Sequence, residues 1–153
     1  MSAIEKRLAE LGASLPDAPA PAANYVPFVV SGKTVYVSGQ ISSDANGPIR
    51  GRLGENVDVA AGAAAAKTCA LALLAQARKA AGGDLDGIAR IVKLTGFVNS
   101  APGFTDQPKV VNGASDFLVE VFGDRGRHAR SAVGVAALPL GVAVEIEAIF
   151  ELA

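Results

Sequence analysis

The sequence is short of several residue types, and each shortage narrows what the protein can do. Its 153 residues include one cysteine, one histidine and no tryptophan. One cysteine cannot form an internal disulfide, and one cysteine with one histidine cannot build a structural zinc site. Few aromatic residues and a formal net charge of −1 provide neither stacking platforms nor a positive field for nucleic acids. We therefore expect no metal site and no nucleic-acid partner.

Long hydrophobic runs are also missing. No uninterrupted apolar stretch reaches the roughly 18 residues that a membrane-spanning helix requires. Residues 1–12 mix charged and apolar side chains, unlike a signal peptide. We therefore expect a cytoplasmic protein with no membrane partner. Half of the residues are hydrophobic and only 19% are charged, and a surface this poor in charge predicts contact with further subunits.

The hydrophobic pattern predicts a single domain over residues 1–153 that contains both helices and strands. Residues 1–23 predict a short amphipathic helix and a proline-rich connector. Residues 57–80, which are rich in alanine, and residues 107–122 have helical periodicity and end at glycine. Strand patterns cover 28–30, 34–37, 88–98, 129–137 and 142–150, and the short link between the last two predicts a tight hairpin.

This order of elements predicts an α+β fold, in which a mixed β-sheet carries the two main helices on one face. The short N-terminal helix is an addition to that core. The face of such a sheet that no helix covers must be covered by something else, which again predicts association of subunits.

Arg130 lies within one of the strand patterns, and the alternate positions on its face are the small residues Ala132, Gly134 and Ala136. Small neighbours leave open space above the strand, in which a guanidinium can bind a carboxylate through paired hydrogen bonds. The simpler interpretation is an arginine on an edge strand that pairs with a surface acid.

The last strand supplies Glu145, Glu147 and Glu151 in alternation with apolar residues. If the hairpin register places Arg130 on the same face, an arginine and a carboxylate share one surface that could bind an acid and activate a water molecule. A site shared between neighbouring subunits is equally compatible with this pattern.

Three further features carry weaker signals. Ser38-Gly39-Gln40, at a strand end, offers a hydroxyl, an open backbone and an amide that suit a small polar ligand, although a simple turn has the same composition. His128, the single histidine, fits a bystander better than a base. Cys69, within the alanine-rich helix, fits a buried small hydrophobic residue.

Several of these motifs together resemble one known family. In chain order they are Tyr25, Val37-Ser38-Gly39-Gln40-Ile41, Asn112, Ala129-Arg130-Ser131 with Leu138-Pro139, and Val144-Glu145-Ile146-Glu147-Ala148. They are similar to the motifs of the reactive-intermediate deaminase (RidA) family, formerly called the L-PSP endoribonuclease or translation-initiation-inhibitor family. The sequence departs at His128, where proline is usual, and at Ala132, where cysteine is frequent. With its N-terminal helix it therefore resembles a diverged branch.

The resemblance implies a chorismate-mutase-like fold, a homotrimer with clefts between subunits, and no cofactor. It implies hydrolytic deamination of reactive imines and enamines, such as 2-aminoacrylate, to 2-keto acids and ammonia, as in 2-iminobutanoate/2-iminopropanoate deaminases. Arg130 would hold the carboxylate of this small imino acid, Glu145 would position the attacking water, and Ser38 joins them as a catalytic residue. The further cleft residues that the resemblance implies are Tyr25, Gly39 and Asn112.

Two alternatives stay open. A trimer that binds small carboxylates without turnover needs Arg130 but not Glu145. An RNA-acting protein would follow the family's older name. The short basic stretch at Arg125 and Arg127 favours it, whereas the net charge and the scarce aromatic residues disfavour it.

Overall fold

A computed structural model describes residues 2–153. Its regular elements, in chain order, are α1 (Ala3–Glu10), β1 (Phe28–Ser31), β2 (Thr34–Ile41), β3 (Ser43–Asp44), β4 (Gly47–Pro48), α2 (Val59–Ala80), β5 (Ile88–Asn99), α3 (Gln107–Phe122), β6 (Ala129–Val135) and β7 (Val144–Leu152). Short 3₁₀ turns lie at Leu85–Gly87, Gly123–Gly126 and Pro139–Gly141.

Five of the strands form one sheet, in the order β1-β2-β7-β5-β6. Neighbouring strands are antiparallel except β5 and β6, which run parallel. Helices α2 and α3 cover one face and enclose a core that contains fully buried side chains such as Leu73, Leu118, Ile146 and Phe150. This is the mixed α+β, chorismate-mutase-like fold that the sequence predicts.

Helix α2 lies close to the sheet because small residues line its buried side. Eleven of its residues are buried, among them Ala65, Ala66 and Ala70. Asp58 caps the first turn by accepting a hydrogen bond from the backbone N–H of Ala61 at 2.8 Å. The helix is long and apolar enough to cross a membrane by length and composition, but its burial against the sheet makes it a core helix.

Helix α1 is present as predicted, and side chains from two places hold its first turn. Ser2 Oγ accepts the N–H of Glu5 at 3.1 Å. The Asp86 carboxylate accepts the N–H groups of Ala3 at 2.9 Å and Ile4 at 3.0 Å, and these bonds hold the pKa of Asp86 below its ordinary value. The turn before β5 therefore anchors the N-terminal helix.

The connector after α1 has no regular secondary structure, in agreement with its prolines. It is fixed by Gln76, a fully buried residue of α2. Nε2 of Gln76 donates to the carbonyl oxygen of Pro19 at 2.7 Å. The connector is thereby held against α2.

The predicted hairpin between the last two strands is wrong. Strand β5 lies between β6 and β7, pairing in parallel with the first and antiparallel with the second. Alternation of apolar and polar residues identifies a strand but not its neighbour, so both arrangements have the same local pattern. The link from β6 to β7 spans two strand spacings, about 10 Å, and Leu140 within it has a left-handed backbone with φ of 58°.

Two arginines from the loop before α2 hold this crossing. Nη2 of Arg52 donates to the carbonyl oxygen of Ala136 at 2.6 Å, and Nε of Arg50 donates to that of Leu140 at 2.8 Å. These bonds satisfy two backbone carbonyl oxygens of the link between β6 and β7.

Candidate functional site

The strand register places Arg130 and Glu145 on opposite faces of the sheet. Arg130 pairs with Leu94 of β5, which pairs in turn with Ala148 of β7, so these three residues share the helix-covered face. Glu145 pairs with Phe97, three positions after Leu94. Since successive residues of a strand alternate in direction, Phe97 and Glu145 lie on the open face.

This arrangement separates the two charges within one chain. Strands β6 and β7 are two spacings apart, about 10 Å, and three positions along a strand add about 10 Å more. One chain therefore cannot hold a small molecule between its own Arg130 and its own Glu145. The shared surface that the hairpin would have allowed is excluded, and the site shared between subunits stays a prediction.

The first of two groups of candidate residues, the arginine cluster, consists of Arg130, Asn112, Ser115 and His128. Nη1 of Arg130 donates to Oδ1 of Asn112 at 2.8 Å and to Oγ of Ser115 at 3.2 Å. Nη2 donates to the carbonyl oxygen of Pro108 at 3.3 Å. All three acceptors belong to α3, so this helix fixes the guanidinium at the outer edge of the sheet.

Three of the five N–H groups of this guanidinium are used in these bonds. The other two, on Nε and Nη2, meet no acceptor within residues 2–153. Nε and Nη2 are on the same edge of the planar group, an edge that can bind a carboxylate through two parallel hydrogen bonds. The cluster is therefore arranged to receive a carboxylate from outside, and Arg130 is not paired with a surface acid.

His128 takes part in this network. Its Nδ1 lies 2.6 Å from the carbonyl oxygen of Gly126, which can only accept, so Nδ1 carries the proton. Nε2 of the neutral ring then accepts the hydroxyl proton of Ser115 at 2.9 Å, while Ser115 Oγ accepts from Arg130. Burial lowers the pKa of His128, and the charge of Arg130 lowers it further. The neutral ring is thus the form that supports this chain of hydrogen bonds.

The second group, the glutamate cluster, contains Glu145, Ser38, Gly39 and Tyr25. Strand β2 has a bulge in which Ser38 and Gly39 together oppose the single residue Glu147. A side chain at Gly39 would place its Cβ 2.9 Å from Cδ of Glu145, closer than ordinary contact. The bulge and the missing side chain together make room for the Glu145 carboxyl group.

The half-buried Glu145 has a shifted pKa. Burial raises the pKa of its carboxyl group, and the nearby charge of Glu147 raises it further. A carboxylate whose pKa moves toward neutrality is a stronger base in water than an ordinary one.

Cys69, in α2, is buried. Burial is the main reason why the pKa of its thiol is raised, and the charge of Glu145 raises it further. Cys69 is therefore the inert buried residue that the sequence predicts.

Ser38 fixes the segment that carries Tyr25. Its hydroxyl donates to the carbonyl oxygen of Val26 at 3.1 Å, and its backbone N–H donates to that of Pro27 at 2.9 Å. Tyr25 itself is half exposed, at 48%. The hydroxyl proton of Ser38 is therefore engaged within the chain, whereas its lone pairs stay available to accept a hydrogen bond.

Ser115 is a residue of the site that the sequence reasoning missed. It lies three positions after Asn112, a spacing that places both side chains on one side of α3. That spacing is the signal that could have found it. Pro108 offers only its backbone oxygen to Arg130, for which a side-chain pattern carries no signal.

Comparison with known proteins connects these features to curated relatives. Residues 15–152 match the family described as endoribonuclease L-PSP. The chain is 52% identical to protein TCP17 of Trypanosoma cruzi, over 97% of this chain and 94% of that protein. It is 33% identical to 2-iminobutanoate/2-iminopropanoate deaminase of Rattus norvegicus, over 86% of this chain and 82% of the rat protein.

A solved structure agrees along almost the whole chain. The crystal structure of protein Atu1372 from Agrobacterium tumefaciens, described as having unknown function, is 49% identical and has a TM-score of 0.92. The match covers 99% of this chain and 93% of that one. The chain therefore belongs to the endoribonuclease L-PSP family, which is the reactive-intermediate deaminase family that its motifs resemble.

Proposed function

We propose that the protein is a homotrimeric deaminase that hydrolyses reactive imines and enamines derived from 2-amino acids to 2-keto acids and ammonia. The observation that carries the proposal is the position of the Arg130 guanidinium. Three hydrogen bonds to acceptors of α3 fix it, and within the described residues N–H groups on its Nε and Nη2 stay free to bind a carboxylate. The carboxyl group of Glu145, which lies in the space left by the missing side chain of Gly39 and has a raised pKa, supplies a base. The name of the rat relative supports the same reaction.

The proposal requires Arg130 of one copy to meet Glu145 of another, because the two lie on opposite faces within a chain. Apolar side chains exposed on the open face favour such an association. Val29, Tyr36 and Val133 are 51%, 50% and 43% exposed. Covering them with a second copy would remove apolar surface from water. Each cleft then combines the arginine cluster of one copy with the glutamate cluster of the next.

The chemistry divides between the two clusters. Arg130 binds the substrate carboxylate and thereby fixes the imine carbon. Glu145 takes a proton from water as the water oxygen attacks that carbon, the electron pair of the C=N bond moves to nitrogen, and Glu145 passes the proton to that nitrogen. The O–H proton of the resulting amino alcohol is then transferred to the amino nitrogen through Glu145, the C–N bond breaks with its electron pair going to nitrogen, and a keto acid and ammonia leave. An imine and water are thereby converted without oxidation or reduction.

A second candidate is a non-catalytic protein that binds small carboxylates. It is favoured by the observation that one chain completes the arginine cluster without Glu145. Binding of nucleic acid is less well supported. Nη1 of Arg125 donates to the carbonyl oxygen of Ile88, and Arg127 lies 3.5 Å from Asp124, so both arginines have partners within the chain.

The decisive experiment compares two neighbouring glutamates. Glu147 lies two positions after Glu145, on the same face of β7, and is exposed. With imines generated in place by an amino-acid oxidase, Glu145→Gln should lower kcat/KM about 100-fold or more, whereas Glu147→Gln, which removes only the smaller cause of the raised pKa of Glu145, should lower it far less. Both variants should still bind 2-oxobutanoate in calorimetry through Arg130. Binding without turnover in the wild type would favour the second candidate, and equal losses in both variants would contradict the role of Glu145.

A further inference from the structure

A large cavity lies at the outer edge of the sheet, beside the glutamate cluster. It has a volume of about 690 Å³ and is lined by the connector, the segment around Tyr25, the end of β2 and one side of α2. Strand β1 pairs with β2 only as far as Val37. Beyond that residue the edge of β2 has no neighbouring strand, and the connector encloses the space instead.

The walls of this cavity are mainly apolar. Leu15 and Pro19 contribute from the connector, and Leu71 and Ala72 from α2. The volume falls within the range of small-molecule sites, about 300 to 1,000 Å³. An apolar lining of this kind favours an apolar guest.

Two polar side chains of the lining, Gln40 and Thr68, already have partners. Gln40 is 7% exposed, and its Nε2 donates to the carbonyl oxygen of Ser38 at 2.9 Å. Thr68 Oγ1 donates to the carbonyl oxygen of Ala65 at 2.7 Å and accepts the N–H of Ser43 at 3.1 Å. A guest without hydrogen-bonding groups therefore leaves none of these side chains unsatisfied.

The cavity also touches the reaction centre of the proposed function. Gly39 forms part of its wall, and the space where a Gly39 side chain would lie is taken by the carboxyl group of Glu145. Gly39 thus adjoins both the cavity and the carboxyl group of Glu145. Tyr25 lines the same opening.

The charges at the cavity distinguish one end of a substrate from the other. Asp17 and Asp44 line it, and neither forms an ion pair in the part of the chain that the structure describes. Two carboxylates repel an anionic group. The substrate carboxylate therefore belongs at Arg130, and a side chain with a second carboxylate is unfavourable in the cavity.

We propose that this cavity holds the substrate side chain and selects imines with large neutral apolar side chains, of the size found in leucine or methionine, over the alanine-derived imine and over acidic ones. The inference rests on the proposed function and specifies its substrate class. The connector is the selecting element, since Gln76 holds it in place through Pro19.

The test fills the cavity from two different lining segments. Ala20 lies in the connector and Ala45 in the turn between β3 and β4; both are exposed residues that line the cavity, so neither replacement disturbs the core. Ala20→Phe and Ala45→Phe are compared with Ala23→Phe, a matched control at an exposed connector residue outside the lining. The measured quantity is the ratio of kcat/KM for the leucine-derived imine to that for the alanine-derived imine.

We expect this ratio to exceed one in the wild type and to fall about tenfold or more in each filling variant, because one methylene group in a pocket already changes kcat/KM about tenfold. The ratio should not change in Ala23→Phe, and the wild type should process the glutamate-derived imine poorly. An unchanged ratio in both filling variants, with a wild type that is active, would overturn the cavity assignment alone. A wild type that hydrolyses no imine would instead overturn the proposed function, and this inference with it.

Discussion

Replacing Gly39 with alanine should separate activity from stability. The backbone of Gly39 does not lie in the left-handed region, so alanine can adopt it without strain. The new Cβ would lie 2.9 Å from Cδ of Glu145, whereas carbon atoms in contact stay about 3.5 to 4.0 Å apart. The carboxyl group must therefore move away by about 1 Å. A displacement of that size in a catalytic group lowers activity about 100-fold.

The same change should have little effect on stability. The clash involves the end of a flexible side chain, and turning it away costs about 0.5 to 1.5 kcal/mol. Loss of glycine freedom in the unfolded chain offsets this by about 0.4 to 1 kcal/mol. The free energy of unfolding should thus change by less than about 1 kcal/mol, and for a chain of this length the Tm should move by less than about 4 °C.

Gly96→Ala is the matched control. Gly96 lies in the core, where an added Cβ would be 2.6 Å from Cγ2 of Val111, so the change should destabilise the protein by about 1 to 3 kcal/mol. Activity per folded molecule should fall far less than in Gly39→Ala, because the added Cβ meets the side chain of Val111 and not the carboxyl group of Glu145. Thermal unfolding and imine hydrolysis, measured on both variants, check the pair. Full activity in a folded Gly39→Ala protein would refute the assignment of Glu145 as the base.

Three further variants test the charges of the site. Arg130→Lys should lower kcat/KM at least about tenfold with an unchanged Tm, because an ammonium lacks the paired N–H edge; normal kinetics would contradict carboxylate binding by that edge. Burial and Glu147 raise the pKa of Glu145, so its ionisation weakens the fold as the pH rises through that pKa; Glu145→Gln should stabilise the protein at pH 7.5 by about 0.5 kcal/mol after allowance for solvent screening, and a lower Tm would count against this. The pKa of His128 is lowered, so wild-type stability should fall as the pH drops below 6.5, and the fall should be smaller in His128→Asn; parallel pH curves would exclude a contribution from this residue.

The helices could be predicted because their signals are local. Residues 57–80 and 107–122 were expected to be helical, and the structure has Val59–Ala80 and Gln107–Phe122. Alanine and leucine at helical spacing, ended by glycine, determine such segments with little help from the rest of the chain. The pairing of the last two strands was wrong for the opposite reason, since neighbours in a sheet depend on contacts that are distant in sequence.

The two clusters were only partly predictable. Strand alternation is enough to single out Arg130 and the glutamates of β7. It cannot show that they lie on opposite faces, because that depends on the insertion of β5 between their strands. The link from Ser115 to His128, and the cavity behind the proline-rich connector, depend on tertiary packing, and irregular segments have no periodicity from which such packing could be inferred.

The most direct test of the central claim is the fate of an imine in the presence of this protein. An amino-acid oxidase generates a panel of imino acids, semicarbazide traps the imine that survives, and the wild type is compared with Arg130→Ala. We predict that the wild type lowers the trapped fraction and that Arg130→Ala does not, although both have the same oligomeric state in size-exclusion chromatography. An equal trapped fraction for the two proteins with every imine of the panel would contradict the assignment of this protein as an imine deaminase.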